Sequence, residues 1–293
     1  MTSAPSDRLR LAGSWLTDPQ DSAVQKPLLM VGPSLGTSVE ALWQPAVGFL
    51  RERFHVVGWD LPGHGAGAPE TEAFSVADLA QGVRRLTAAV RQDAGLSGPA
   101  YYAGVSIGGA VALQLAVDPE TGHEAEPDHE AEADREAGAD RDGRTIEKVV
   151  VLCSAARIGE PAAWRERAEF VERAGTPSMV EGSAKRWFAP GFIEAQPGIT
   201  AGLLHSLQNT DRHSYARCCE ALAEFDLREQ LREAAVPVLA VAGAEDAVCP
   251  PEQAELIAQS VPQGRHAVLA GVGHLAPAEA PAQTAELIRE FAA

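Results

Sequence analysis

Six short apolar runs alternate with segments of helical periodicity along the chain. Each run is apolar at consecutive positions, which is typical of strands buried on both faces of a parallel sheet. The segments between them repeat apolar residues every three to four positions, as helices packed on a sheet do. The runs are KPLLMVG (26–32), HVVGWD (55–60), PAYYAGV (99–105), EKVVVLCS (147–154), VPVLAVAG (236–243) and RHAVLAG (265–271), and the helical segments are 38–54, 75–94, 107–117, 251–260 and 280–291. This order predicts an α/β fold, a mostly parallel sheet with helices on both faces.

One region departs from this alternation. Residues 157–235 contain only helix-like segments, and they follow a predicted strand that ends near Ser154. Segments that leave the carboxyl ends of parallel strands lie at the edge of the sheet where ligands bind. We therefore expect residues 1–156 and 236–293 to form the core and residues 157–235 to form a helical lid.

The stretch 118–144 is strongly acidic. It holds eleven carboxylates against three arginines and almost no residue able to join a core, so we expect a disordered or loosely ordered loop. Because it follows a helix and precedes a strand, it is expected at the edge opposite the lid, where it takes no part in chemistry. His123 and His129 lie among the acids, but solvated charge is the usual outcome there, and we expect no metal site.

The overall composition narrows the classes of function. A net charge of −17 argues against nucleic acid as a partner, since phosphates require a basic face. No apolar stretch approaches the roughly 20 residues that span a bilayer, and the start MTSAPSDRLRLAGSW lacks the apolar core of a secretory signal. We therefore expect a cytoplasmic protein with no membrane partner. The four cysteines lack the spacing of a disulfide framework or a zinc site, and no pattern indicates a cofactor or an oligomeric state.

The stretch YYAGVSIGGAVALQL places Ser106 where a β-rich run gives way to a helix-forming run. Gly104 and Gly108 flank the serine as Gly-x-Ser-x-Gly. These glycines permit a turn sharp enough to hold the serine in a strained backbone conformation, with its hydroxyl exposed in front of a helix N-terminus. A glycine-rich turn with an incidental serine would give the same pentapeptide, so the rest of the chain must decide between the two.

A serine hydroxyl becomes a good nucleophile only when a base takes its proton and an acid orients that base. Asp246 comes three residues after the run VPVLAVAG, and His274 comes three residues after RHAVLAG. The chain order serine, aspartate, histidine is the one expected when a Gly-x-Ser-x-Gly turn tops a parallel sheet. Glu245 remains an alternative acid, whereas His64 in DLPGHG is better explained by a structural turn.

The oxyanion that forms when the serine attacks needs backbone N–H donors about 3 Å away. Ile107, directly after the serine, is the first predicted donor. Leu35, in the loop GPSLGT after the first predicted strand, is the second. A plain tight turn is the alternative interpretation of that loop.

These motifs together resemble the α/β-hydrolases and, more narrowly, the bacterial 3-oxoadipate enol-lactonases of aromatic compound catabolism. The serine turn and its two partners specify only the superfamily, whereas SLGT, AARIG, RWF and the stretch 215–226 are narrower signals. One departure is Pro33, where those enzymes usually have asparagine before SLGT; it removes a backbone donor near the predicted oxyanion site. The resemblance is carried by SLGTSVEALWQP, WDLPGHG, GVSIGG, CSAARIG, KRWFAPGF, NTDRHSYARCCEALAEFDLR, AGAEDAVCPP and GVGH.

The resemblance implies a carboxylic ester hydrolase with an α/β-hydrolase fold. Its substrate would be a five-membered enol lactone bearing a carboxymethyl group, opened through an acyl-enzyme to 3-oxoadipate. Two other functions remain open: another serine esterase or C–C bond hydrolase of this fold, and a noncatalytic ligand-binding protein on the same scaffold.

A small anionic lactone also requires a local site for its carboxylate, because so acidic a protein does not attract an anion at long range. Candidates in the lid are Arg157, Arg186 and Arg212. We prefer Arg157 and Arg186, the latter beside Trp187, which is a candidate wall for the lactone ring.

Overall fold

The computed structural model describes residues 9–18, 26–118 and 145–293. Its strands are β1 (Gly13–Trp15), β2 (Leu28–Gly32), β3 (His55–Trp59), β4 (Ala100–Val105), β5 (Lys148–Leu152), β6 (Val238–Gly243) and β7 (Gly264–Leu269). In this part of the chain they form one sheet in the order β1-β3-β2-β4-β5-β6-β7. Only β1 runs antiparallel to its neighbour. The predicted α/β architecture with a mostly parallel sheet is confirmed.

The helices of the described residues either flank the sheet or lie in the segment between β5 and β6. They are α1 (Val39–Leu50), α2 (Val76–Ala94), α3 (Ile107–Val117), α4 (Pro161–Ala174), α5 (Val180–Trp187), α6 (Phe192–Ala195), α7 (Pro197–Asn209), α8 (Arg212–Glu224), α9 (Pro251–Ser260), α10 (Ala276–Glu279) and α11 (Pro281–Phe291). The chain moves one way along the sheet from β2 to β3 and the other way from β3 to β4. Because crossovers are right-handed, α1 and α2 lie on opposite faces. Accordingly α1 packs on α11, and α2 packs on α3.

Burial along the strands explains why the sequence predicted most of them. Every residue of β2, β3, β4 and β6 is buried, which matches runs that are apolar at consecutive positions. The edge strand β7 is largely exposed. Strand β1 was not predicted, because two of its three residues are exposed and three residues are too few to show a pattern.

The helices α4 to α8 follow β5 and precede β6, and α4 packs on α8. We call residues 157–235 the lid, and the division into core and lid stays a prediction. The predicted acidic loop lies, apart from Asp118, outside the described residues. Helix α3 ends just before Asp118, and the described residues resume at Thr145, just before β5. Both points lie at the amino-terminal edge of the sheet. Among the described helices, none has both the length and the apolar character needed to cross a bilayer.

Candidate active site

Ser106 lies in a sharp turn between β4 and α3. Its backbone has φ 56° and ψ −114°, a conformation that side chains rarely adopt and that stores strain. The turn closes tightly: a Cβ on Gly104 would lie 2.2 Å from the carbonyl oxygen of Gly108. Two hydrogen bonds hold the serine backbone, from Ser106 N–H to the Leu152 carbonyl (2.9 Å) and from the Ser154 hydroxyl to the Ser106 carbonyl (2.7 Å). The two glycines of the pentapeptide are therefore explained by close backbone approach.

Asp246 and His274 form a buried pair at the carboxyl ends of β6 and β7. The Nδ1 atom of His274 lies 2.9 Å from Oδ2 of Asp246. Since a carboxylate only accepts hydrogen bonds, Nδ1 carries the proton and Nε2 is left as an acceptor. The second carboxylate oxygen, Oδ1, accepts the backbone N–H groups of Val248 (2.8 Å) and Cys249 (3.0 Å), which fixes the side chain. The alternative acid, Glu245, is exposed.

Leu35 lies in a turn that packs against the start of α3. The N–H of Thr37 donates to the Ser34 carbonyl (3.0 Å), and Gly36 has φ +87°, which together define a four-residue β-turn. Leu35 is one of the two central residues of this turn, and the hydrogen bond that closes the turn does not use its N–H. Ile107 begins α3, where N–H groups have no acceptor within the helix. The predicted pair of donors therefore comes from two segments in direct contact. Pro33 joins them, because its carbonyl accepts the N–H of Gly108 at 3.1 Å.

A cavity of about 180 Å³ opens between the lid and the sheet. Ser106, His274 and Leu35 line it from the core side. From the lid side it is lined mainly by aromatic and cationic side chains, namely Trp164, Arg167, Arg186, Trp187 and Tyr215, together with one carboxylate, Glu160. The predicted nucleophile and base therefore share one cavity, whose wall is apolar and cationic apart from Glu160.

The structure corrects the choice of lid arginines. Arg186 and Trp187 line the cavity as expected, but Arg157 does not; its guanidinium contacts Glu160. Arg167 lines the cavity in its place and was missed. A signal was available in the sequence, because Trp164 and Arg167 are three residues apart on α4 and so lie on the same helix face.

The two cavity arginines make an unusual electrostatic arrangement. The Arg167 guanidinium lies 4.6 Å from the ring centroid of Trp164 and also interacts with Tyr215. Burial, and then the charge of Arg167, lower the pKa of Arg186 below its usual value. Within the described ranges neither arginine forms a salt bridge. The carboxylate in the cavity wall, Glu160, contacts Arg157 instead, so the two neighbouring cations provide a site for an anion.

Burial raises the pKa of the Tyr215 phenol, and the nearby Arg167 charge opposes that rise. Tyr215 is therefore a neutral hydrogen-bonding group in the cavity wall. The part of the chain that the structure covers holds no cluster of three or more His, Cys, Asp or Glu side chains arranged for a metal ion.

Comparisons with known proteins agree with this architecture. The sequence profile of the alpha/beta hydrolase family matches residues 28–287. 3-Oxoadipate enol-lactonase 2 of Acinetobacter baylyi is 31% identical over 257 residues, which cover 87% of this chain and 85% of that protein. 3-Oxoadipate enol-lactonase 1 of the same organism is 28% identical and covers 90% of this chain and 88% of its own length. The crystal structure of the enol-lactonase from Burkholderia xenovorans superposes with a TM-score of 0.78 at 26% identity, covering 96% of each chain. The chain therefore belongs to the alpha/beta hydrolase family.

Proposed function

We propose that this hydrolase opens 3-oxoadipate enol-lactone to 3-oxoadipate, a step of aromatic compound catabolism in the cytoplasm. The observation that carries the proposal is a pair of arginines, Arg167 and Arg186, that form no ion pair with any described carboxylate and that line the same cavity as Ser106 and His274. Two half-buried cations in the wall of that cavity suit an anionic substrate better than a neutral one. The similarity to two enol-lactonases over most of the chain supports the same substrate class.

In the first half of the proposed reaction, Ser106 attacks the lactone carbonyl. The Nε2 atom of His274 takes the hydroxyl proton as Oγ bonds to the carbonyl carbon, and Asp246 stabilises the resulting imidazolium. The N–H groups of Ile107 and Leu35 stabilise the oxyanion. When the tetrahedral intermediate collapses, the ring C–O bond breaks, and the imidazolium gives its proton to the leaving enol oxygen. The enol then tautomerises to the ketone.

In the second half, water hydrolyses the acyl-enzyme. His274 takes a proton from the water as its oxygen attacks the ester carbonyl, and the same backbone donors hold the new oxyanion. The C–O bond to Ser106 breaks, and His274 returns the proton to Oγ. One water is consumed for each lactone opened, and no cofactor enters the balance.

The substrate carboxylate is proposed to bind between Arg167 and Arg186. A guanidinium donates two parallel hydrogen bonds to a carboxylate, and such charge-assisted bonds are the strong ones in a buried site. Burial and, after it, repulsion by Arg167 lower the pKa of Arg186, and a carboxylate bound there relieves that repulsion. Trp164 and Trp187 complete the lid wall of the cavity with apolar surface that suits the lactone ring.

Turnover of freshly generated enol lactone, compared with hydrolysis of a neutral nitrophenyl ester, tests the proposal directly. We expect kcat/KM for the lactone to exceed that for the neutral ester by at least 100-fold, the order of two charge-assisted hydrogen bonds of about 1.5 kcal/mol each. A preference for the neutral ester by orders of magnitude would replace the proposed lactonase with a general carboxylesterase of the same fold.

A further inference from the structure

The loop that carries His274 lies directly against the lid. The N–H of His274 donates to the carbonyl of Trp187 at 2.9 Å. Gly273 leaves no space between the two backbones, because a Cβ there would lie 2.7 Å from the Ala189 nitrogen and 2.9 Å from the Trp187 oxygen. The backbone of the loop that holds the proposed base is therefore in direct contact with the end of α5, the helix that carries Arg186 and Trp187 into the cavity.

Glu279, on the short helix α10, joins both sides of this contact through one carboxylate. Its Oε1 atom accepts the N–H groups of Gly273 (3.1 Å) and Leu275 (3.2 Å), the two residues that flank His274. Its Oε2 atom accepts the N–H of Ala189 in the lid at 2.7 Å. One side chain thus accepts three backbone N–H groups. Two of them fix the loop on either side of the histidine, and the third fixes the lid segment after Trp187.

The charge environment of Glu279 fits this arrangement. Burial raises the pKa of the carboxyl group, while the three backbone donors and the nearby His274 lower it. A half-buried carboxylate is costly unless hydrogen bonds compensate for the lost water, and among the described residues these bonds come from the loop and the lid. Its hydrogen bonds therefore hold together the His274 loop and the lid, the two segments that border the cavity at this point.

We propose that Glu279 is a positioning residue, which holds the His274 loop and the lid in register so that the base is aligned with Ser106. The inference rests on the function proposed above only in so far as Ser106 and His274 act together. It assigns to Glu279 no contact with the substrate. Its removal is therefore expected to slow the reaction of the serine and to leave the affinity for an anion in the cavity nearly unchanged.

The variant Glu279→Gln tests this role, because it keeps the length of the side chain and replaces one acceptor oxygen by an NH₂ group. The NH₂ group cannot accept a hydrogen bond, so the backbone N–H that it faces, on either the loop or the lid, loses its acceptor. One side of the contact is therefore lost. The matched control is Glu286→Gln on α11, which removes the same charge from an exposed position. The readouts are the rate of covalent labelling of Ser106 by a fluorophosphonate, kcat and KM for the enol lactone, the dissociation constant for adipate, and the melting temperature.

We expect Glu279→Gln to slow labelling and kcat by 10- to 100-fold, with the dissociation constant for adipate within threefold of the original and the control unchanged. Labelling within twofold of the original rate in folded Glu279→Gln would overturn the inference, and so would a loss of adipate affinity as large as the loss of rate. If Glu279→Gln does not fold, Glu279→Asp decides. Its shorter side chain cannot reach both the loop and the lid, so labelling should slow at least fivefold, and an original rate in the folded Asp variant would overturn the inference.

The labelling assay also separates this inference from the choice of substrate. If the unmodified enzyme reacts with the fluorophosphonate but does not open the enol lactone, the proposed substrate is wrong, while the comparison of Glu279→Gln with Glu286→Gln still decides the role of Glu279. If the enol lactone is turned over and both variants match the unmodified enzyme, the function stands and the positioning role is excluded.

Discussion

Replacing Arg167 by methionine tests the proposed anion site most directly. Methionine keeps much of the length and the apolar stem of arginine, so packing over Trp164 is largely retained while the charge and the hydrogen-bond donors are removed. Arg167 lines the cavity and forms no salt bridge among the described residues, so no carboxylate of the protein is left unpaired by the change. The expected effect therefore reports on the substrate.

The magnitude follows from the kind of contact that is lost. A hydrogen bond to a charged group contributes about 1.5–3 kcal/mol, and each 1.36 kcal/mol is a factor of ten. Arg167→Met should therefore lower kcat/KM for the enol lactone by roughly 10- to 150-fold. Because the carboxylate is equally charged in the ground state and the transition state, the loss should fall mainly on KM, with kcat changed less than about threefold. The loss for a neutral ester should be much smaller.

Arg165→Met is the matched control, on the same helix but paired with Glu224 in an exposed position. Exposed ion pairs contribute about 0–1 kcal/mol, so this variant should bind the lactone normally. Steady-state kinetics with the enol lactone and with a nitrophenyl ester measure both variants. If Arg167→Met retains the original KM for the lactone, or loses both substrates equally, the carboxylate does not bind at Arg167 and the reasoning from the two cavity arginines fails.

The remaining predictions concern the proposed triad, a buried histidine and the acidic stretch. Ser106→Ala should lower kcat by roughly 10⁴ or more with an unchanged circular dichroism spectrum; near-normal turnover would mean that the nucleophile is misassigned and would favour a noncatalytic binding protein. Asp246→Asn should lower kcat by about 10⁴, because an amide favours the wrong tautomer of His274, and a loss below tenfold would contradict that role. Burial lowers the pKa of His64 to about 4, so below pH 6.5 the unfolded chain binds a proton at this histidine that the folded chain does not bind until about pH 4. The free energy of unfolding should fall by about 3 kcal/mol between pH 7 and 4 through this group, and His64→Phe should remove that part of the slope in urea titrations; an unchanged slope would mean that His64 is not held neutral. Deleting residues 120–142 should leave kcat/KM within twofold, and a large drop in the folded deletion variant would contradict the placement of its ends at the amino-terminal edge.

The sequence was sufficient for the parallel strands β2 to β7 and for the turn at Ser106, because both depend on strong local rules. A parallel strand buried on both faces must be apolar at consecutive positions, and β4 satisfies this at every residue. The turn requires glycine for steric reasons that any sequence must obey, as the approach of Gly104 to Gly108 shows. The contact of His274 with Asp246 could be anticipated for a related reason, since both follow the carboxyl ends of adjacent parallel strands.

The lid was less predictable, because helix packing decides which face of each helix meets the cavity. Arg157 and Arg167 are both basic and both near the start of the lid, and the spacing of Arg167 from Trp164 places those two on one helix face without indicating what that face meets. The structure does so through α4, whose packing on α8 turns Arg167 inward while Arg157 contacts Glu160 before the helix begins. Glu279 was missed because its partners are backbone N–H groups, which leave no mark in the sequence.

The lid is attached to the core on two sides of the cavity, and this arrangement links binding to chemistry. At one side, Glu279 and the His274 loop hold the end of α5. At the other, the Asp211 N–H donates to the Gly63 carbonyl at 2.9 Å, and the Ser214 hydroxyl accepts the Glu70 N–H at 2.9 Å, at the start of α8. The cavity arginines lie on α4 and α5, and α5 ends at the first of these attachments. If His274 acts as the proposed base, a weakened attachment should alter its alignment with Ser106 and appear in kcat, whereas a lost arginine should appear in KM. That division, measured across both sets of variants, separates the part of the lid proposed to bind the substrate from the part proposed to hold His274 in place.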